Sequence, residues 1–377
     1  MSRFPDVSTA GAAVPASIFA QLREHLAQFP GDVIPLQIGD THLSPPSRLD
    51  EIAWAELAGG DLYAYGAAGG WDPLVDAIAE KAATKNRIGV TTSGVQVTVG
   101  ATHALACAVQ ALCDPGDELI LLTPHWPLIR GIALGFGVVP IEVRYTDSLE
   151  AAITPRTAAI YLATPNNPDG AMLGVRELEA IADVAMRRNL WLLSDEVYED
   201  YGYDAQHTSI ASLPAAAERT VTVFSFAKSY AQAGLRVGYA LGPDAVISTM
   251  RKLVNHSVYN VPVPMQRGAH GALRGGAAFL AHARESYRLA RDRARARLLA
   301  PADLPAGGAY LWVDFRRWCG DDCLPILEKC AASGVLLAPG NAFGAACAGW
   351  ARLCFTGVQP ARLDEGIDRI NAVVEKL

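Results

Sequence analysis

Between residues 95 and 225 the chain repeats one pattern, in which a short apolar run is followed by a turn and a longer amphipathic stretch. Residues 95–99 and 221–224 alternate valine with Gln or Thr as strands do, while 118–122, 138–143, 158–163 and 190–193 are apolar at nearly every position. A strand of that kind has no wet face, so both of its faces must be covered. Residues 102–112, 127–135 and 176–188, with 73–85 ahead of them, carry the helical period instead. Doubly buried strands separated by helices predict an α/β fold with a largely parallel sheet clad on both faces. In such sheets ligands bind beyond the carboxyl ends of the strands, so the residues following each strand are where chemistry is expected.

The texture changes after residue 270. A long helix over 277–299 leads into short strands at 310–314, 335–337 and 352–355 set among helices, which predicts a smaller α+β domain. The first 35 residues mix Ala, Pro and polar residues and read as an arm with one helix. The expected division is 1–45 for the arm and part of the small domain, 46–270 for the large domain and 271–377 for the small C-terminal one. A net charge of −7 and a pI near 5.6 argue against a nucleic-acid surface. The arginines at 284, 288, 291, 293, 295 and 297 read as the wet face of the long helix. No leader is expected at the N-terminus, and no charge-free run reaches the roughly 20 residues of a membrane span. Seven cysteines form no zinc pattern; Cys107, Cys113, Cys347 and Cys354 sit among apolar neighbours as small core residues. No metal site is expected, and a reducing cytoplasm is the natural compartment.

Polar residues collect where the strands end. Residues 95–99 run into Gly100-Ala101-Thr102 at a helix start, where free backbone N–H groups favour an anion. The strand 158–163 ends in Thr164-Pro165-Asn166-Asn167-Pro168, and 190–193 ends in Ser194-Asp195-Glu196-Val197-Tyr198. The strand 221–224 runs into Ser225-Phe226-Ala227-Lys228, with Arg236 between Gly234 and Gly238 further on. Of the six lysines, Lys228 alone follows a buried strand; the other five lie in polar, helical stretches where an ammonium stays solvated. A lysine at a strand end can snorkel to water. A buried one is neutralised or takes on a task such as an imine link to an aldehyde.

The order and context of these residues, from Gly39-Asp40 to Arg352, resemble the class I/II aminotransferases of pyridoxal-phosphate fold type I. The segment Ser225-Phe226-Ala227-Lys228 … Gly234-Leu235-Arg236-Val237-Gly238-Tyr239 and the series Asn167-Pro168, Asp195 … Tyr198, Lys228 carry the resemblance most specifically. It implies a large domain built on a mostly parallel seven-stranded sheet, pyridoxal 5′-phosphate as cofactor, and Lys228 as the residue of the internal aldimine and the carrier of the substrate Cα proton. It further implies Asp195 on the pyridine nitrogen and Asn167 and Tyr198 on the phenolic oxygen. Trp126 would lie on the ring face. Gly100, Ala101, Thr102, Ser225 and Arg236 would hold the phosphate. Tyr65, in Leu62-Tyr63-Ala64-Tyr65-Gly66, corresponds to a tyrosine reaching the phosphate from the neighbouring subunit of a homodimer. Arg352 and the backbone of Gly39, with Asn167, would receive the substrate α-carboxylate.

The implied reaction moves an amino group between an amino acid and a 2-oxoacid. A lyase or synthase acting by elimination or replacement is the alternative on the same scaffold, because the cofactor residues are shared and fold does not fix reaction. Ala227 stands where many relatives have Ser or Thr, and Thr102 where some members acting on acidic substrates have lysine. His42, His103, Arg130 and Tyr259 are the candidates for contacting the substrate side chain.

Overall fold

The computed structural model describes residues 6–16, 29, 31–46 and 64–377. Its centre is a seven-stranded sheet of β2 (Val95–Thr98), β3 (Glu118–Thr123), β4 (Val139–Arg144), β5 (Thr157–Ala163), β6 (Trp191–Asp195), β7 (Thr220–Ser225) and β8 (Gly238–Leu241). The order is β2-β8-β7-β6-β5-β3-β4. Every pairing is parallel except those of β8, which runs antiparallel to β7 and β2. The expected mostly parallel seven-stranded sheet is therefore present.

The continuous apolar runs are explained by alternation across a sheet buried on both sides. From β5, Ala159, Tyr161 and Ala163 enter one core with Leu119 and Leu121 of β3, beneath the helix Gly100–Leu112. Ile160 and Leu162 enter the opposite core with Ile120 and Leu122, against the helix Val175–Arg188. A third core, with Leu74 and Ile78 of the helix Asp72–Lys81, covers Phe224 and Tyr239.

The C-terminal part carries its own three-stranded antiparallel sheet, ordered β11 (Ala338–Pro339), β12 (Trp350–Cys354), β9 (Tyr310–Asp314). The arm strand β1 (Ile34–Pro35) pairs in parallel with β10 (Val335–Leu336), Ile34 opposite Val335. Ile34, Leu36, Leu311, Val313, Leu327 and Ile367 share one core. The arm is thus packed against the far end of the chain, which puts Gly39 beside the strand that carries Arg352.

Two expectations about charged residues need correction. Lys81 is not solvated: it is buried and ion-paired to Glu199 at 2.6 Å. The wet arginine face is broken at Arg291, which is 2 % exposed and donates to Asp204 at 2.6 Å and to the Pro305 carbonyl at 2.9 Å. In both cases the partner lies in the loop after β6, far away in sequence. Helical periodicity alone cannot show it.

Candidate active site

The strand order places a crevice where chain direction switches, between β3 and β5, and the side chains following β3, β5 and β6 open onto it. Because β8 is antiparallel, its start lies at the same edge as the ends of β2 and β7, with Gly238 opposite both Thr98 and Ser225. Segments distant in sequence therefore meet at one rim. Gly39, Ala101, Thr102, Trp126, Asn167, Asp195, Tyr198, Ser225, Lys228, Arg236 and Arg352 all line one cavity of about 220 Å³.

Gly100 stands just behind the lining. It has φ +74, and a Cβ there would lie 2.6 Å from Nη2 of Arg236. A Cβ on Gly238 would lie 2.6 Å from the Ala101 nitrogen. Both glycines are needed for the backbone to close around the first turn of the helix Gly100–Leu112, whose N–H groups are free to bind an anion. Arg236, itself at φ +54 and exposed, brings the charge. Ser225 caps the short helix Phe226–Ser229, its Oγ accepting from the Ala227 nitrogen at 3.1 Å.

That short helix presents Lys228. Its ammonium donates to the Gly39 carbonyl, and among the described residues it has no carboxylate within ion-pair distance. Burial lowers its pKa. Asp195, at the end of β6, is also buried, and burial pushes its carboxyl up to about 6 against the Tyr161 hydrogen bond and the Lys228 charge. The Tyr161 hydroxyl donates to Oδ2 at 3.0 Å, whereas Oδ1 has only a long contact of 3.4 Å from the Val197 nitrogen. Sequence reasoning missed Tyr161. The available signal was one hydroxyl in the middle of an otherwise apolar strand.

On the opposite wall Arg352 projects from β12. Its Nη1 donates to Oδ1 of Asn167 at 2.8 Å and its Nη2 to the Gln37 carbonyl at 2.6 Å, while Nε is buried without a partner among the described residues. With its oxygen occupied by Arg352, Asn167 keeps its Nδ2 as a donor for the cavity. Tyr310, on β9, also lines the cavity and was not anticipated. Its ring lies 4.1 Å from the Arg352 guanidinium and its hydroxyl 2.5 Å from that of Tyr198.

The other predicted side chains lie elsewhere. Tyr65 is 81 % exposed, its ring tilted against that of Tyr259 with centroids 4.4 Å apart, and lines no part of the cavity; Leu62 and Tyr63 of its motif lie outside the described residues. His42 bonds the Thr356 carbonyl, His103 the Ser257 hydroxyl, and Arg130 approaches Glu142 at 3.8 Å. None of these three, nor Tyr259, faces the cavity. Among the described residues no cluster of His, Cys, Asp and Glu could hold a metal ion, and no helix is long and apolar enough to cross a membrane.

Comparison with known proteins places the chain in a family. The sequence model of the family described as aminotransferase class I and II matches residues 31–370. A probable aspartate/prephenate aminotransferase of Thermus aquaticus is 34% identical over 83% of this chain and 85% of its own length. An arginine–pyruvate transaminase of Pseudomonas aeruginosa is 34% identical over 88% of each chain. Among solved structures, the aspartate aminotransferase of Thermus thermophilus with maleate superposes with a TM-score of 0.90 at 32% identity, covering 98% of this chain and 100% of that one. With the family matched along nearly its whole length and the fold reproduced, this chain belongs to the class I and II aminotransferases, enzymes that transfer amino groups.

Proposed function

We propose that the cavity binds pyridoxal 5′-phosphate and that the chain moves an amino group between an amino acid and a 2-oxoacid, with Lys228 as the lysine bonded to the cofactor's aldehyde carbon. The observation that carries this reading is the convergence of Lys228, Asp195, Asn167, Tyr198, Arg236 and Arg352 on one cavity. The donor set fits the group part by part. The cradle at Gly100–Thr102 with Ser225 and Arg236 suits a phosphate. The under-bonded carboxylate of Asp195 suits a protonated ring nitrogen. Asn167 Nδ2 and the Tyr198 hydroxyl suit the phenolic oxygen, and Trp126 is available for the ring face.

When bound, the cofactor supplies an electron-poor ring that holds the charge leaving the substrate Cα. The chain does the rest. Asp195 holds the proton on the ring nitrogen, and the ion pair would in turn draw its own pKa back down. Arg352 binds the substrate α-carboxylate through its unpartnered Nε and its guanidinium edge, a planar fork that a lysine would not replace. Lys228, with its pKa lowered by burial, has more free amine at neutral pH than an exposed lysine, so Nζ can accept the Cα proton and deliver it to the cofactor carbon.

The test is borohydride reduction of the purified protein followed by peptide mapping. A reduced phosphopyridoxyl group on Lys228 is expected, and its absence or its attachment elsewhere would sink the reading. A donor screen against several 2-oxoacids should then give the pyridoxamine form without ammonia release; ammonia and ketoacid formed with no acceptor present would mark elimination chemistry instead.

Three coarser proposals accompany it. Tyr65 completes the phosphate site of a second copy, so the enzyme is a homodimer; its exposure outside its own cavity supports this. The arm with the C-terminal part (residues 1–45 and 271–377) closes on residues 46–270 when Arg352 and Gly39 engage substrate. The seven free cysteines suit the cytoplasm.

A further inference from the structure

Tyr310 joins the two halves of the cavity. Its ring faces the Arg352 guanidinium at 4.1 Å, and its hydroxyl oxygen lies 2.5 Å from that of Tyr198, the two rings meeting edge-on at 5.7 Å. Both tyrosines are buried. The far side of the Tyr310 hydroxyl is closed by the arm: a Cβ on Gly39 would sit 1.9 Å from it. Among the described residues Tyr198 is its one hydrogen-bond partner.

Two hydroxyls bring two protons, and only one can lie between the oxygens. If Tyr198 donated, the Tyr310 proton would be left against Gly39 with nothing to accept it. If Tyr310 donates, the Tyr198 proton is free to point into the cavity, where an anionic oxygen would receive it. Arg352 favours the second arrangement. Burial raises both phenols and the Arg352 charge opposes this at both, but the guanidinium lies directly against the Tyr310 ring at 4.1 Å, which makes Tyr310 the readier donor.

We propose that Tyr310 is a positioning residue that donates to Tyr198, aims the Tyr198 proton at the cofactor's phenolic oxygen, and so ties occupation of the Arg352 carboxylate site to the strength of that hydrogen bond. The inference rests on the reading of the cavity given under Proposed function. It has a consequence that packing alone would not produce. A carboxylate bound to Arg352 offsets part of the guanidinium charge, weakens donation by Tyr310, and thereby loosens the grip of Tyr198 on the phenolic oxygen.

The experiment is a spectrophotometric pH titration of the bound cofactor in wild type, Tyr310→Phe, Tyr198→Phe and the double variant, each with and without propionate as an unreactive carboxylate. Phenylalanine keeps the ring on Arg352 and removes only the hydroxyl. In Tyr310→Phe the chromophore pKa should rise by about half to one unit, the size of one neutral hydrogen bond, because weaker donation favours the anionic oxygen less. In the Tyr198→Phe background the second substitution should add nothing, and propionate should raise the pKa less in Tyr310→Phe than in wild type. Gly39→Ala, which pushes the same hydroxyl away from the other side, should shift the pKa in the same direction. An unmoved pKa in Tyr310→Phe, an equal shift in both backgrounds, or an undiminished propionate effect would each overturn the inference. The parent reading fails separately, through absence of the borohydride label on Lys228.

Discussion

Two partly or fully buried lysines sit either side of β7, and their surroundings could hardly differ more. Lys81 lies in a closed charge cluster: Glu199 at 2.6 Å, the Asn86 side-chain Oδ1 at 2.8 Å and the Phe224 ring at 4.5 Å. Lys85 and Asp200 extend the cluster to the surface. Every charge there has its complement, which is what burial of an ammonium ordinarily demands. Lys228 meets a backbone carbonyl and a cavity. Asp195, which lines the same cavity, has a tyrosine for a partner and a carboxyl pushed up rather than down. A buried lysine paired to a carboxylate stabilises the fold, whereas one left without a counter-ion is free to be neutralised by bond formation.

That contrast is broken most directly at Lys228. Lys228→Ala should lower turnover by about four orders of magnitude and abolish the borohydride-reducible bond, while the unfolding midpoint stays the same or rises, since a desolvated amine has been removed. A variant that kept full turnover, or that unfolded, would place Lys228 in the same class as Lys81. Asp195→Asn comes next. Turnover should fall roughly 10³-fold, because the ring nitrogen loses its charge partner, with a much smaller change in cofactor affinity than in rate. Stopped-flow measurement of the half-reaction beside an equilibrium binding isotherm separates the two effects.

How much of this was legible in the sequence follows from the same contrast. Six strands of the large sheet could be read from near-continuous or alternating apolar runs. The interior strands are buried on both faces, whereas β4, at the sheet edge, is only partly buried and so corrects the expectation of two covered faces there. The seventh, β8, could not: Gly238-Tyr239-Ala240-Leu241 follows a glycine-rich loop and runs against its neighbours, so it resembles a turn. Site residues placed directly after a strand (Asn167, Asp195, Ser225, Lys228) were readable, since the carboxyl edge of a parallel sheet is the one place their polarity makes sense. Tyr161, Tyr310 and Gln37 were not. Each depends on a partner brought from another segment: Asp195 across the sheet, Arg352 from a separate sheet, and the same arginine meeting the arm. Lys81 was misread for the same reason, because Glu199 lies more than a hundred residues away and looks in sequence like an extension of the Asp195 motif.

The charge cluster supplies the smaller effects. Lys81→Met leaves Asn86 without its donor and buried Glu199 with only Lys85, at 3.6 Å, and should cost about 3 kcal/mol in chemical denaturation, with cofactor absorbance retained. The pH dependence then distinguishes the two regions by sign. Burial alone would raise Glu199, but Lys81 and Lys85 outweigh it and hold the carboxyl at about 2, below the ordinary 4.5. Its contribution is therefore complete above about pH 4.5 and is lost as pH falls toward 2. Asp195 behaves oppositely in the cofactor-free protein. With its folded pKa raised to about 6, the stability it contributes is present below its unfolded value near 3.8 and is lost as pH rises through 6. Glu196, fully buried next to it and pushed up to about 8, extends that decline to higher pH. Unfolding midpoints of the cofactor-free enzyme from pH 2 to 9 should therefore rise on the acid side and fall on the alkaline side. Lys81→Met should flatten the acid limb and, by letting burial raise Glu199, carry part of the loss to higher pH. Asp195→Asn should flatten only the decline at higher pH. Cofactor binding should flatten the alkaline limb as well, because a protonated ring nitrogen gives Asp195 the counter-charge that Glu199 already has. If Asp195→Asn or the cofactor moved the acid limb, the two regions would be one coupled network rather than a structural pair beside a chemical site.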